Sequence, residues 1–523
     1  LLGTAFRVDS MRHKHGLHVD EEWSYITAAG DLGHFGGASS TTLRGAWVPA
    51  AQWKSGLGPG RTFDFGQIIS GLAKHDVHPP LYFCLLHIWT LVVGVKFWTG
   101  PSLNLIIDLL CGAALFGLAR RLLRDPLAAA LVVLIWSVSP AVRLTSSMAR
   151  MYSLEALFSV LFVWLLLGAT DRERAPARPL LSACLLALAT AGGMLTQYQF
   201  VLIVAGGAAY VLLRLVRFDR RRCVRALLAM AAGLVIVWLV EPAVFAQFRR
   251  QPASRPEAFS LPLLRDKLNG TAGTVFQFFG LDARRLQGAA ARPLRLWGLL
   301  PGQHLSSLVL LAFWACVAAA LALALPWSRR WLARRDWSGG LALLFLVWIG
   351  GTIIAQNLAF LSEPKVLSAR YLAVAWPLLA FVPVLVSRAL LPRWPCVVAA
   401  VFCLGFMVPL SLAPVNYAAW SGPLPKLSNA HRVVIDCPRS LAVPRTVWWL
   451  PSHALVYVDD WRDLQARPAA WLGQLQSGDF IVHGDDIPPV ALQLLRTRFV
   501  ITEVPPHFRH FLVYRVGTPH PGG

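Results

Sequence analysis

The chain has 523 residues, of which 56% are hydrophobic and only 15% charged, with a net charge of +22. Soluble domains average about 25% charged and about 45–50% apolar residues, so an ordinary soluble enzyme of this length is excluded. Its arginines sit in short clusters between apolar runs, the pattern that orients membrane helices. A nucleic-acid partner is therefore set aside.

The chain opens on Leu-Leu-Gly-Thr-Ala-Phe, read as the tail of a first transmembrane helix that begins ahead of residue 1. Residues 7–101 form a first external loop, ending in an apolar run at 80–99. Further apolar runs follow at 102–119, 126–141, 152–169, 178–196, 200–216, 224–243, 304–326, 338–356, 371–391 and 395–413. The basic clusters Arg120–Arg124, Arg172–Arg178, Arg214–Arg225 and Arg329–Arg335, and the pair Arg388 and Arg393, fall on every second connection, which places them in the cytoplasm. That alternation holds only if 80–99 does not cross. Its His87, Trp89, Lys96 and Trp98, after Pro79-Pro80, suit an interfacial or re-entrant helix. About eleven spans result, each of ~20 residues.

After residue 413 the composition changes. "HRVVIDC", "ALVYVDD", "DFIVHGDD", "RFVITEV" and "FLVYRV" are short β-rich runs, with a helix expected near Ala469–Gln476. The expected division is a transmembrane part, 1–413, and a small soluble α/β domain, 414–523, on the external side. The eight cysteines show no metal-ligand spacing and read as small core residues.

The outward connections gather polar groups at one membrane face. They are Asp20, Glu21 and Glu22; His75, Asp76 and His78 before Pro79-Pro80-Leu81-Tyr82; Arg143, Arg150 and Tyr152; Gln197 and Tyr198; and Glu363, Lys365, Arg370 and Tyr371. Charges beside the apolar slab are costly, and they line cavities or pair with one another. Arg150, Lys365 and Arg370 suit a lipid phosphate, and a carboxylate beside them suits proton abstraction from a hydroxyl. A general base and a stabilised leaving phosphate are the parts that group transfer from a lipid-phosphate donor requires.

"HVDEEWSYITAAG", "HDVHPPLYFCLLHIW", "SMARMYSLEAL", "LTQYQF" and "SARYLAVAWPLLA" together, in this order, resemble the membrane-embedded GT-C glycosyltransferases, in particular the bacterial dolichyl-phosphate-mannose-protein mannosyltransferase-like and ArnT-like proteins. The resemblance implies a GT-C-like polytopic helical fold and a polyprenyl-phosphate-linked sugar donor. It also implies transfer with inversion at the periplasmic face of a bacterial inner membrane. It maps the acidic pair of the first external loop onto Asp20 and Glu21, with Asp20 as catalytic base. It sets His78-Pro79-Pro80 near the donor, and Arg150, Tyr152, Arg370 and Tyr371 at its phosphate. Two departures stand out: Glu22 lengthens the acidic run, and His78 occupies a place where ArnT-like proteins often carry a lysine.

Plainer readings accompany each motif. The acids also suit the start of a juxtamembrane helix over Glu21–Ala29. The first-loop histidines match no standard metal site; a divalent metal, Mg or Mn, stays open as a cofactor. Tyr152 suits an interfacial anchor, and Lys365 an ion network with Glu363. Tyr82, Gln197 and Tyr198 are pocket-lining residues, and His87 a packed histidine. Two functions remain: a glycosyltransferase acting on a glycan, lipid or protein acceptor, with the terminal domain recruiting that acceptor, and a flippase for an anionic lipid. The second requires mid-span charges, for which Asp108 and Glu155 are the main candidates.

Overall fold

A computed structural model describes residues 1–30, 32, 43–60, 62–170, 178–215, 220–244, 246–247, 278–279, 369–390, 395–412, 423–436, 442–459, 472–484, 489–505 and 511–520. They fall into two compact units. One comprises Leu1–Ser10, Asn104–Ser147 and Met151–Pro414, the other Met11–Leu103, Met148–Arg150 and Val415–Gly523.

The first unit is helical. Among the described residues, four helices are long and apolar enough to cross a membrane: Thr99–Leu123, whose first residues belong to the other unit, Tyr152–Thr170, Pro179–Thr196 and Arg220–Val240. They overlie the apolar runs at 102–119, 152–169, 178–196 and 224–243. The run at 126–141 is not one straight span. It breaks into Pro126–Ser137 and Pro140–Ser146, bent by 59°. Pro140 brings no N–H to the helical ladder, and the Ser139 hydroxyl caps the second helix by accepting from the Val142 N–H. The runs at 200–216, 371–391 and 395–413 appear as shorter helical pieces. Those at 304–326 and 338–356 lie outside the described residues, and with them the count of about eleven spans of ~20 residues.

Arg7, Asp108 and Arg143 of this unit are paired, as a low-dielectric setting favours. Arg7 Nε donates to Asp108 Oδ2 at 2.6 Å, with both side chains buried. The Ser146 hydroxyl donates to the same oxygen at 2.6 Å. Arg7 also reaches the carbonyls of Gly3 and Ser137 and lies over the Trp136 ring. Arg143 contacts the Ser10 hydroxyl, Asp9 and the Ser411 carbonyl. Asp108, in the helix Thr99–Leu123, is thus a structural ion-pair partner of the N-terminal helix Leu2–Arg12.

The second unit joins the first loop to the C-terminal residues. Each of the five β-rich runs holds a strand: β2 (Arg432–Asp436), β3 (Leu455–Asp459), β4 (Phe480–Gly484), β5 (Phe499–Glu503) and β6 (Phe511–Pro519). A sixth, β1 (Trp47–Pro49), comes from the first loop, and the order is β1-β3-β2-β4-β6-β5. Strands β3, β2 and β4 run parallel, while β1, β6 and β5 pair antiparallel. The two-residue period of a strand puts alternate side chains on one face. Tyr457, Val434, Ile481 and Tyr514 stand in line across the pairings, and they bury against Leu472, Leu475, Leu495 and Phe499. The sheet therefore extends beyond the expected 414–523 boundary by one strand. The helix expected at Ala469–Gln476 begins outside the described residues, and the chain turns directly after Leu472.

Within this unit the first loop carries the helices Val19–Ala29, Phe65–His75 and Leu81–Val93. The last has 13 residues, or roughly 20 Å at 1.5 Å per residue, well short of the ~30 Å apolar slab. Gly94 at φ 75 ends it, and Lys96 then lies over the Trp98 ring. His87 is packed, as expected. Its Nδ1 lies 2.6 Å from the Ala28 carbonyl, and its Nε2 accepts from the Phe63 N–H at 3.1 Å.

Candidate active site

The three acids open the helix Val19–Ala29 and take three different environments. The helix begins with a capping box. The His18 ring accepts from the Asp20 N–H, and Glu21 Oε2 accepts from the His18 N–H at 2.8 Å. Gly30, at φ 78, closes the other end, a left-handed position that glycine takes without steric cost. The capping reading of the acids therefore holds for Glu21.

Glu21 does more than cap. Its Oε1 accepts from Lys14 Nζ at 2.5 Å and from the Ala149 N–H at 2.8 Å, and the Lys14 and Glu21 side chains are fully buried. Burial outweighs the attraction of Glu21 and lowers the Lys14 pKa. Glu22 is buried too, with Oε1 3.3 Å from Arg445 Nε. Burial, aided by the charges of Glu21 and Asp20, outweighs Arg445 and pushes the Glu22 carboxyl well above its ordinary value. Asp20 differs from both: its side chain is 24% exposed, and its carboxylate stands 3.4 Å from His18 Nδ1. Of the three acids it alone keeps access to solvent and hence to a substrate.

Residues Met148–Arg150 meet the start of this helix. Arg150 is buried and donates to the Asp20 carbonyl at 3.2 Å and to the Ser24 hydroxyl at 3.3 Å. Its NH2 lies 3.0 Å from His78 Nε2. A guanidinium has only donors, so His78 Nε2 accepts and the ring proton sits on Nδ1, facing Asp76 Oδ1 at 2.8 Å. His78 is thereby a neutral bridge with a fixed tautomer. Burial opposes ionisation of Asp76, but the hydrogen bonds from His78 and the Val77 N–H and the charge of Arg150 outweigh it and hold the carboxyl below its ordinary value. Pro79 and Pro80 follow, and Pro80 is the N-cap of Leu81–Val93. That helix carries the buried Tyr82 and Phe83, whose ring packs edge-on to His78.

Close approach of the backbone fixes this arrangement. The Tyr25 hydroxyl donates to the Lys96 carbonyl at 3.1 Å and accepts from the Gly100 N–H at 2.9 Å. A Cβ at Gly100 would lie 2.2 Å from Ala149 Cβ, so only glycine lets the start of Thr99–Leu123 lie against the residue that binds Glu21.

Asp20, Glu21, His78 and Arg150 therefore share one site in this unit. Tyr152, Gln197 and Tyr198 belong to the helical unit. There Tyr152 starts its span buried, and the Tyr198 hydroxyl donates to Gln247 Oε1 at 2.5 Å. The Lys365 backbone and the side chains of Arg370 and Tyr371 lie outside the described residues. Among the described residues, no three His, Cys, Asp or Glu side chains converge as metal ligands. Asp76 and His78 are instead engaged with each other and with Arg150. As placed, Asp76 and His78 have no third such side chain beside them to complete a divalent centre among the described residues. Sequence reasoning missed Lys14, Tyr25, Gly100 and Arg445. Only Glu21, three residues after His18, left a signal, the spacing of a capping box.

Residues 77–245 match the protein-family model of the dolichyl-phosphate-mannose-protein mannosyltransferases. A comparison with curated proteins returns no match. Among solved structures, the chain is similar to ArnT from Cupriavidus metallidurans bound to undecaprenyl phosphate, at 17% identity, covering 98% of this chain and 96% of that one, TM-score 0.46. It is also similar to the oligosaccharyltransferase AglB from Archaeoglobus fulgidus in complex with an inhibitory peptide and a dolichol-phosphate, at 10% identity, covering 100% and 73%, TM-score 0.50. The likeness read from the five motifs stands at that level: this is a membrane protein of GT-C fold with a mannosyltransferase-like segment.

Proposed function

We propose that the chain is an integral-membrane glycosyltransferase that moves a sugar from a polyprenyl-phosphate-linked donor to an acceptor hydroxyl. The observation that carries this reading is the accessible carboxylate of Asp20 at a helix start that also holds the guanidinium of Arg150. The family match over 77–245 supports the chemical class.

In the proposed step, Asp20 takes the proton of the acceptor hydroxyl as its oxygen bonds to the anomeric carbon of the sugar. The bond from that carbon to the phosphate oxygen breaks, and the polyprenyl phosphate leaves with the electron pair. Arg150 offsets the charge growing on that phosphate. The donor-phosphate roles of Tyr152, Lys365, Arg370 and Tyr371 rest on the resemblance of their motifs alone. Attack opposite the leaving group inverts the anomeric centre. Glu21, with both carboxylate oxygens bonded to protein, works as a positioning residue for Asp20 and Arg150. Neutral His78 orients Arg150. The pocket roles of Tyr82, Gln197 and Tyr198 rest on their motifs alone. The reaction is assigned to the periplasmic face of a bacterial inner membrane, with a hexose or pentose donor and a glycan, lipid or protein acceptor. Of the two mid-span acids on which the flippase alternative rests, Asp108 is engaged with Arg7 and Ser146, while Glu155 is buried near the start of its span.

The test uses purified protein in lipid vesicles with a radiolabelled polyprenyl-phosphate sugar and an envelope extract as acceptor. Label leaving the lipid for the extract is the expected result. Donor that crosses the bilayer with its sugar still attached overturns the reading in favour of the flippase.

A further inference from the structure

The acidic helix Val19–Ala29 is gripped by a helix more than four hundred residues away in sequence. Ala442–Trp449 lies in the C-terminal half of the same unit. Arg445 Nε stands 3.3 Å from Glu22 Oε1 with both side chains buried, 5% and 4% exposed. One turn further on, the Trp448 ring packs on Tyr25 at 5.6 Å between centroids. Glu22 and Tyr25 are three residues apart, as are Arg445 and Trp448, and residues at that spacing share one face of a helix. Two matched pairs therefore dock face to face, a polar pair and an aromatic pair in register. Trp448 and Trp449 also pack on Phe97, at 5.3 and 5.1 Å, just before Gly100 and its bond to Tyr25. Lys54 Nζ donates to the Leu450 carbonyl, and β1 pairs with β3. The first loop is thus tied to the C-terminal residues at several places along its length.

Resting on the glycosyltransferase reading above, we infer that Arg445 is a positioning residue of the reaction: through Glu22 and Tyr25 the C-terminal helix fixes the helix that carries Asp20. The first-loop helix has 11 residues, and isolated helices shorter than about 12 residues are marginal in water. Its placement depends on what it packs against. A general base displaced by about 1 Å loses on the order of a hundredfold in rate, so a small shift of this helix is felt at Asp20. The C-terminal half is then a working part of the site as well as a candidate surface for recruiting the acceptor. Glu22 lies beside Asp20 and Glu21 on its own helix and faces Arg445 on the other, so a single substitution at Arg445 changes charge as well as packing. The informative variant removes the pair together.

The experiment compares wild type, Asp20→Asn, Arg445→Lys and the double variant Glu22→Gln/Arg445→Met in the donor-transfer assay. Hydrogen exchange of residues 19–29 is read alongside. The double variant leaves no unpaired buried charge, so a purely structural pair predicts wild-type turnover from it. The positioning role predicts a kcat at least tenfold lower with donor KM within twofold, and faster exchange confined to residues 19–29. Arg445→Lys, which keeps the charge, retains most of the activity. Wild-type kcat and wild-type exchange in the double variant overturn the inference, while loss of transfer in Asp20→Asn leaves the function standing. No transfer by the wild type overturns the function and this inference with it.

Discussion

Glu21 and Glu22 are adjacent acids with opposite energetic consequences. Glu21 is fully satisfied: its two oxygens take the His18 N–H, the Ala149 N–H and Lys14. Replacing it with Ala strands a buried ammonium and uncaps the helix. Breaking a buried pair from one side costs about 3–5 kcal/mol, and the variant is expected to lose stability of that order in thermal unfolding. A second substitution, Lys14→Met, should recover much of the loss. Glu22 has its pKa raised by burial and by the neighbouring acids, so the folded state holds its proton more tightly than the unfolded chain does. Stability from this group is present below the ordinary value of 4.5 and is lost as pH rises towards the folded value. Glu22→Gln should flatten that fall in unfolding temperatures measured across the pH range. An unchanged slope would show that Glu22 titrates as an ordinary exposed acid. Of these residue-scale facts, the sequence showed that acids start a helix. It could not show which acid is buried, because that depends on Lys14, Ala149 and Arg445, whose approach no local spacing encodes.

Elements bring these residues together. The loop Met148–Arg150 reaches the acidic helix because Thr99–Leu123 begins with a glycine where its backbone lies against Ala149. Gly100→Ala is expected to push that loop away and to weaken two contacts at once, Ala149 to Glu21 and Gly100 to Tyr25. Lower unfolding temperature together with reduced transfer per folded molecule is the expected outcome; unchanged values of both contradict the close approach. Much at this scale was legible. Long apolar runs became helices at 152–170, 179–196 and 220–240 because composition alone commits about twenty apolar residues to that state. The β-rich runs after residue 413 became strands. Two features were not legible. Pro140 and the Ser139 cap broke a run that hydropathy read as continuous, since hydropathy averages over the residue that lacks an N–H. Strand β1 has three residues, too short for any periodicity to mark it, and it is fixed by pairing with β3.

At the scale of the whole molecule, a membrane-embedded helical chain carries its proposed chemistry in a first loop that folds with its C-terminal residues. Their separation in sequence explains why the site was only partly readable: the motifs named Asp20, His78 and Arg150, while Arg445 sits in a segment with no motif at all. The central claim is that Asp20 abstracts the acceptor proton, with Arg150 held beside it to receive the departing phosphate. The most direct measurement takes Asp20→Asn in lipid vesicles and reads donor binding and sugar transfer on the same preparation. The account predicts donor affinity within a few-fold of wild type and transfer lowered by about two to four decades, the usual contribution of a general base. Transfer at the wild-type rate from Asp20→Asn would contradict it.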